Sequence, residues 1–494
     1  MAEQFKNYID GKWVESVGGK TFPSINPADK SEVIGQFPRS DHRDVDRAVE
    51  AARRHYPHWR RVPAPKRAEV LFRAAELLLR QKEDLAVQMT REMGKVLKES
   101  RGDVQEAIDM AYFIAGEGRR LLGETTPSEL PDKLAMSVRV PVGVVVAITP
   151  WNFPLAIPVW KVIPALVAGN TVVLKPAEDT PRMAAKLVEI MEEAGLPPGV
   201  LNLVHGLGEE AGAPLVRHPE VALISFTGSS EVGREVAIAA AAEHKRVSLE
   251  MGGKNAIIVM DDADLDLAIE GSIWGAFGTS GQRCTAASRL VVQKKVLKEF
   301  TERFVSRAEA LRLGDGLQPE TEMGPVINET QLKQIHRYTK LGVKEGARLL
   351  TGGEMYKKGE CAKGFFYLPT VFGDASTKMR IAQEEIFGPT VAILAVADLD
   401  EAIDVVNSTR YGLSSAIYTR DIGRACRAVR DIEAGLTYVN ASTIGAEVHL
   451  PFGGVRRTGN GHREGGSTAI ENFTEWKTVY IDFSGKLQKA QIDE

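Results

Sequence analysis

The feature that most constrains this chain is a regular alternation, from Arg139 onward, of short β-branched apolar runs with helical segments. Residues 142–148, 171–174, 200–204, 221–226 and 247–249 read as strands separated by helices. Such alternation implies βαβ units and a parallel, doubly wound sheet whose nucleotide site lies at the carboxyl ends of the strands. A second series follows: strand 256–259, helix 265–277, strand 290–292, helix 296–310, then 391–395, 401–407, 414–418, 423–432 and 437–439. At 494 residues the chain exceeds what one core holds, so two α/β lobes are expected, joined near Gly252 and Gly253. Upstream, Val70, Leu71, Ala74, Leu77 and Leu78 fall at helical spacing within 44–122, which reads as helices flanking the first sheet. The helix after Leu174 has the clearest limits: Thr180 as N-cap, Pro181 at its first position and Gly195 at a left-handed end.

Charge and cysteine usage narrow the function classes. The 62 basic and 66 acidic residues are interspersed, with a formal charge of -4, so no nucleic-acid-binding face is expected. Cys284, Cys361 and Cys426 are far apart and lack metal-ligand spacing, which predicts reduced thiols in a cytoplasm and no metal. The N-terminus is polar and resembles no secretory signal. The most apolar stretch, 142–167, is interrupted by Gly143, Pro150, Pro154, Pro158 and Pro164 and contains Asn152 and Lys161, so no membrane span is expected.

Cys284 sits in Gly281-Gln282-Arg283-Cys284-Thr285, just after an apolar helix that ends near Gly278. A neighbouring guanidinium would favour the thiolate, the nucleophilic form. Taken alone, such a cysteine is as readily an inert, half-buried residue. Its company decides. With Ile148-Thr149-Pro150-Trp151-Asn152-Phe153-Pro154, Phe226-Thr227-Gly228-Ser229, Leu249-Glu250-Met251-Gly252-Gly253-Lys254, Glu384-Glu385-Ile386-Phe387-Gly388-Pro389 and Pro451-Phe452-Gly453-Gly454, the chain resembles the aldehyde dehydrogenase superfamily, in order and nearly end to end.

That resemblance implies NAD(P)-dependent oxidation of an aldehyde to a carboxylic acid. Cys284 would attack the aldehyde carbon to give a thiohemiacetal, and a thioester would remain after hydride transfer. Asn152 and the Cys284 N–H would hold the oxyanion. Glu250 would activate the hydrolytic water, a base that favours hydrolysis over acyl transfer to coenzyme A. Lys161 and Glu464 match positions of a proton relay, although both also have surface explanations. For the cofactor, Ile148, Thr149, Pro150, Trp151, Lys175, Glu178, Gly208, Phe226, Thr227, Gly228, Ser229, Val232, Glu250, Met251, Gly252, Glu385 and Phe387 are the expected contacts. A Glu178 carboxylate suits the ribose hydroxyls and repels a 2′-phosphate, favouring NAD, with NADP possible. Ser229 can meet a phosphate, cap the following helix, or both. Substrate contacts would come from Phe153, Trp160, Arg283, Thr285 and Phe452, with Phe277 and the loop 441–450. Arg283 suits a semialdehyde carrying a carboxylate, or else pairs with a protein carboxylate.

By the same resemblance, 1–122 with 142–252 forms an NAD-binding domain and 253–452 a catalytic domain, while 123–141 and 468–494 form a small β oligomerisation extension. The stretches 125–141 and 472–483 alternate apolar and polar residues as exposed strands do. A homodimer or homotetramer is expected, with the C-terminal strand crossing to a neighbour.

Overall fold

The computed structural model describes residues 3–489, 491 and 492; positions 1, 2, 490, 493 and 494, at the ends of the segments 1–122 and 468–494, lie outside the described residues. The first sheet runs in the order Arg246–Glu250, Val221–Thr227, Val144–Ile148, Thr171–Lys175, Leu201–Leu203, Asn7–Ile9, Lys12–Val14. Its first five strands are parallel, and the two N-terminal strands add an antiparallel edge. Val145, Ala147, Val172 and Leu174 enter one core, whereas Val144, Val146 and Val173 enter another. That alternation is why the strands read as continuous apolar runs: helices cover both faces. One cover includes Ala64–Arg80, Leu97–Glu117, Ala156–Ala168 and Pro181–Glu193; the other includes His42–Trp59 and Ser230–Ala242.

The second sheet has the order Arg348–Thr351, Thr370–Gly373, Thr390–Val396, Ala287–Gln293, Asn255–Val259, Ser414–Tyr418, Leu436–Val439. Only Arg348–Thr351 is antiparallel. The apolar stretch read as no membrane span is a strand, a turn and the buried helix Ala156–Ala168. Among the described residues no helix is long and apolar enough to cross a membrane.

One expectation needs correction. Thr180 stands at the N-cap of Pro181–Glu193, but its hydroxyl donates to the Trp151 carbonyl at 3.3 Å and does not cap the helix. Gly195, by contrast, takes the left-handed conformation with φ +86°. The C-terminal strand Thr474–Asp482 pairs along its whole length with Lys133–Pro141 of its own chain and forms an edge of its sheet. With Glu124–Pro127 these strands form a separate three-stranded antiparallel sheet.

Candidate active site

The carboxyl edge of the first sheet faces the amino edge of the second. Glu250 ends its strand, residues 149–152 leave Val144–Ile148, and Cys284 and Glu385 lie in the loops that precede Ala287–Gln293 and Thr390–Val396. Asn152 Nδ2 donates across the gap to the Gln282 carbonyl at 3.0 Å, and the Gly253 N–H donates to Glu385 Oε1 at 3.0 Å.

Gly278 stops the helix Leu265–Phe277, and Thr279, Ser280 and Gly281 then run left-handed at φ 53°, 56° and 68°. For the two non-glycine residues this costs ~1–2 kcal/mol each. Hydrogen bonds hold the strained turn: Thr279 N–H to Glu99 Oε1 at 2.8 Å, Ser280 Oγ to the Gly324 carbonyl at 2.7 Å, and the Ile327 N–H to Gln282 Oε1 at 2.9 Å. Asn255 Nδ2 fixes the Cys284 carbonyl at 2.7 Å. The sequence therefore places the cysteine on a braced loop.

Arg283 does not activate that cysteine. Its guanidinium turns to Glu99 Oε1 at 3.2 Å and to Thr279 Oγ1 at 2.9 Å, and lies 5.3 Å from the centre of the Phe153 ring. The expected pairing with a protein carboxylate is the one found. The Cys284 thiol is half-buried and is pushed up to about 12, by burial first and then by Glu385 and Glu250. At rest it is therefore a thiol and not the nucleophilic thiolate.

Glu250 is buried and neither oxygen makes a well-formed hydrogen bond. Burial holds its carboxyl well above the ordinary range, Glu464 adds to this, and Lys161 and Arg463 oppose it. Gly453 leaves room for the carboxylate, because a Cβ there would come within 2.5 Å of Glu250 Oε1. Lys161 and Glu464 form a buried ion pair, and Lys161 Nζ also donates to Ser225 Oγ at 3.0 Å. Their surface explanations fail, since both sit beside Glu250.

A cavity of about 490 Å³ has Asn152 and Cys284 in its wall together with Pro150, Trp151, Thr227, Gly228, Ser229, Met251, Gly252, Glu385 and Phe387. The Thr227 hydroxyl, and that of Thr149 next to Pro150, are buried without partners. Gly252 forms a cradle that a Cβ would fill, 1.9 Å from Glu385 Oε2. Orphaned hydroxyls, a carboxylate raised to about 7 at Glu385 and an open glycine turn fit the ribose and phosphates of a dinucleotide. Trp151 and Phe387 meet edge to face at 5.4 Å. On the next strand Lys175 is buried and pairs with Glu178 at 3.3 Å, and Ile148 lies beside it in the ladder. Gly208 opens the turn Gly208–Gly212, whose last residue packs against the Lys175 side chain. Ser229 caps Ser230–Ala242 by accepting from the Val232 N–H at 3.2 Å. The Phe226 ring lies in the core beneath Gly228 and Gly233, so only its backbone faces the turn.

Phe153 is flanked by Lys95 and Arg283, and Trp160 meets Phe452 edge to face at 5.5 Å. Thr285 is buried next to the nucleophile. Phe277 stacks on Phe304 in the core of the second lobe and also borders a cavity of about 780 Å³ that Phe153 and Arg283 line. Sequence reasoning missed Lys95, Glu99 and Asp103. A signal was present: Glu99, Asp103 and Glu106 recur at i, i+4 and i+7 on one face of Leu97–Glu117, an acidic stripe where that helix meets the site.

The model of the aldehyde dehydrogenase family matches residues 13–479. The alpha-ketoglutaric semialdehyde dehydrogenase of Bacillus subtilis is 43% identical, over 97% of this chain and 98% of that protein. The human retinaldehyde dehydrogenase 3 is 42% identical, over 97% and 93%. Among solved structures, the betaine aldehyde dehydrogenase of Staphylococcus aureus in complex with NAD+ is 36% identical and superposes with a TM-score of 0.96, covering 98% of this chain and 95% of that one. The braced cysteine, the facing carboxylate and the dinucleotide-sized cavity thus occur in a chain that belongs to the aldehyde dehydrogenase family.

Proposed function

We propose that Cys284 is the nucleophile of an NAD-dependent oxidation of a carboxylate-bearing semialdehyde to the corresponding acid. The observation that carries this reading is the placement of the Cys284 loop, Asn152 and the dinucleotide-sized cavity along one gap, with the buried, unpaired Glu250 carboxylate beside it. NAD, when bound, accepts the hydride. Asn152 Nδ2 and the Cys284 N–H hold the oxyanion formed when sulfur adds to the aldehyde carbon. Removing one such donor costs on the order of 100–1000-fold in kcat in comparable sites. Glu250, raised by burial, takes a proton from the water that hydrolyses the thioester and passes it toward Lys161 and Glu464. Glu178 favours NAD over NADP because its carboxylate can accept from the ribose hydroxyls and repels a 2′-phosphate.

Two observations support the substrate class. Arg283 borders the cavity of about 780 Å³ with Nε and Nη2 engaged, and no partner of Nη1 occurs among the described residues. The Bacillus subtilis relative is named for a semialdehyde of this kind. The chain is further read as a cytoplasmic homodimer or homotetramer: its three cysteines are free thiols, and Trp476, Tyr480, Ile481 and Phe483 are exposed on or beside the C-terminal strand. In this reading residues 1–122 and 142–252 bind the cofactor, 253–452 carry the chemistry, and 123–141 with 468–494 make the contact between subunits.

The test follows NADH absorbance with NAD and a panel of aldehydes matched in length, with and without a terminal carboxylate. Turnover should favour the carboxylated members, vanish in Cys284→Ala, and lose the preference in Arg283→Met. Equal rates on both halves of the panel would refute the substrate class. NADH formation that survives Cys284→Ala would refute the nucleophile.

A further inference from the structure

Lys95, two residues before the helix Leu97–Glu117, is fully buried. Its Nζ donates to Asp103 Oδ2 at 2.8 Å and to the Asn152 backbone carbonyl at 2.8 Å, and sits 4.1 Å from the centre of the Phe153 ring. The other oxygen of the same carboxylate, Asp103 Oδ1, accepts from the Ala156 N–H at 2.8 Å. One ion pair therefore grips both ends of the turn that carries Asn152 and Phe153.

The pair is itself anchored from outside the turn. Gly94 is left-handed at φ +90°, and a Cβ there would meet Pro27 and Pro325 at 2.7 Å. The Leu97 N–H donates to the Gly316 carbonyl at 2.9 Å, which fastens the approach to the helix to the second lobe. Two residues on, Glu99 takes the Thr279 N–H of the Cys284 loop. The short span 95–103 thus touches both parts of the site, the Asn152 turn and the loop of Cys284.

A buried ammonium is costly to desolvate, and apolar side chains of similar volume would serve plain stability as well or better. What Lys95 and Asp103 supply beyond stability is direction, because Lys95 donates to the Asn152 carbonyl and Asp103 accepts from the Ala156 N–H, both in the 152–156 turn. We propose that Lys95, held by Asp103, is a positioning residue that sets the reach of the Asn152 amide toward the oxyanion. It acts through Asn152 and does not touch the substrate carbon. The proposal rests on the reading of Asn152 as an oxyanion donor.

The test is a set of variants in the full-length enzyme: Lys95→Met with Asp103→Asn, which removes both charges and keeps an acceptor for the Ala156 N–H; Asn152→Ala; and all three together. The charge-free pair should fold, keep the KM for NAD, and lose about 100-fold in kcat, the penalty of a misplaced catalytic group. Combined with Asn152→Ala it should lose nothing more than Asn152→Ala alone, because the two act on one interaction. Losses that multiply in the combination, or a pair variant with the parent kcat, overturn the positioning role. An unchanged kcat in Asn152→Ala alone instead removes the oxyanion reading on which the role rests, a failure visible in a different variant. If the pair variant does not fold, Asp103→Asn alone serves. It keeps Lys95 in place, should lose less, and must show the same lack of additivity with Asn152→Ala; multiplied losses there overturn the proposal as well.

Discussion

At the scale of the residue, the site is governed by charges that are buried before they are used. Glu250 is buried between a carboxylate that raises it and a lysine and an arginine that lower it. Below that raised pKa its base form, and any rate limited by thioester hydrolysis, should rise about tenfold per pH unit. The neighbours set where that limb lies. Glu464→Gln removes the charge that raises Glu250 and leaves Lys161 to lower it, so the ascending limb should move to lower pH. Lys161→Met does the reverse and should move it to higher pH. A pH profile of kcat for the three proteins checks both signs, and shifts in the same direction would contradict the arrangement. Arg283 does not turn to Cys284 because adjacency in sequence says nothing of direction: Thr279, four residues before it, and Glu99, far away in the chain, take the guanidinium.

At the scale of the element, function depends on where strands and helices stop. Gly281 ends the left-handed turn before the nucleophile at φ +68°, and a Cβ there would meet the Gly388 carbonyl oxygen at 2.2 Å. Gly346 is equally left-handed at φ +97° but has open space around it. Gly281→Ala should therefore displace the loop and abolish most turnover, while Gly346→Ala should cost only the backbone term of ~1–2 kcal/mol with activity intact. Thermal unfolding and kcat measured side by side separate the two effects. Regular elements were legible in the sequence: the helix Leu265–Phe277 and the strand Ser414–Tyr418 agree residue for residue, because buried apolar runs and helical spacing are local signals. The strands Asn7–Ile9, Lys12–Val14 and Arg348–Thr351, and the hairpin Thr21–Asn26 with Asp29–Pro38, were not. They are short or half-exposed, so their apolar patterning is weak. The helix Glu329–Lys344 was overlooked although Asn328 caps it and Leu332, Ile335 and Thr339 mark its buried face. The candidate site residues came from the motifs that resemble the family, whereas Lys95, Glu99 and Asp103, which brace them, lie outside those motifs, and only the two carboxylates show, in the acidic spacing of Leu97–Glu117.

At the scale of the molecule, the two sheets face each other edge to edge, and the third lies apart from both cores. Its strand Thr474–Asp482 exposes Trp476, Tyr480 and Ile481, an apolar surface that a monomer would leave wet. Tyr480→Glu combined with Ile481→Lys should leave the fold intact and lower the mass in sedimentation or light scattering to that of a smaller assembly. An unchanged mass would place the subunit contact elsewhere.

The central claim is that formation of the thioester, by addition of sulfur to the aldehyde and hydride loss to NAD, and its hydrolysis are separate tasks, the first of Cys284 and the second of Glu250. Glu250→Gln tests it most directly. Mixed with NAD and the preferred semialdehyde, this variant should release one rapid equivalent of NADH per site and then stall, with intact-protein mass rising by the acyl group and a peptide map placing it on Cys284. Steady turnover without a burst, or an adduct on any other residue, would contradict the account.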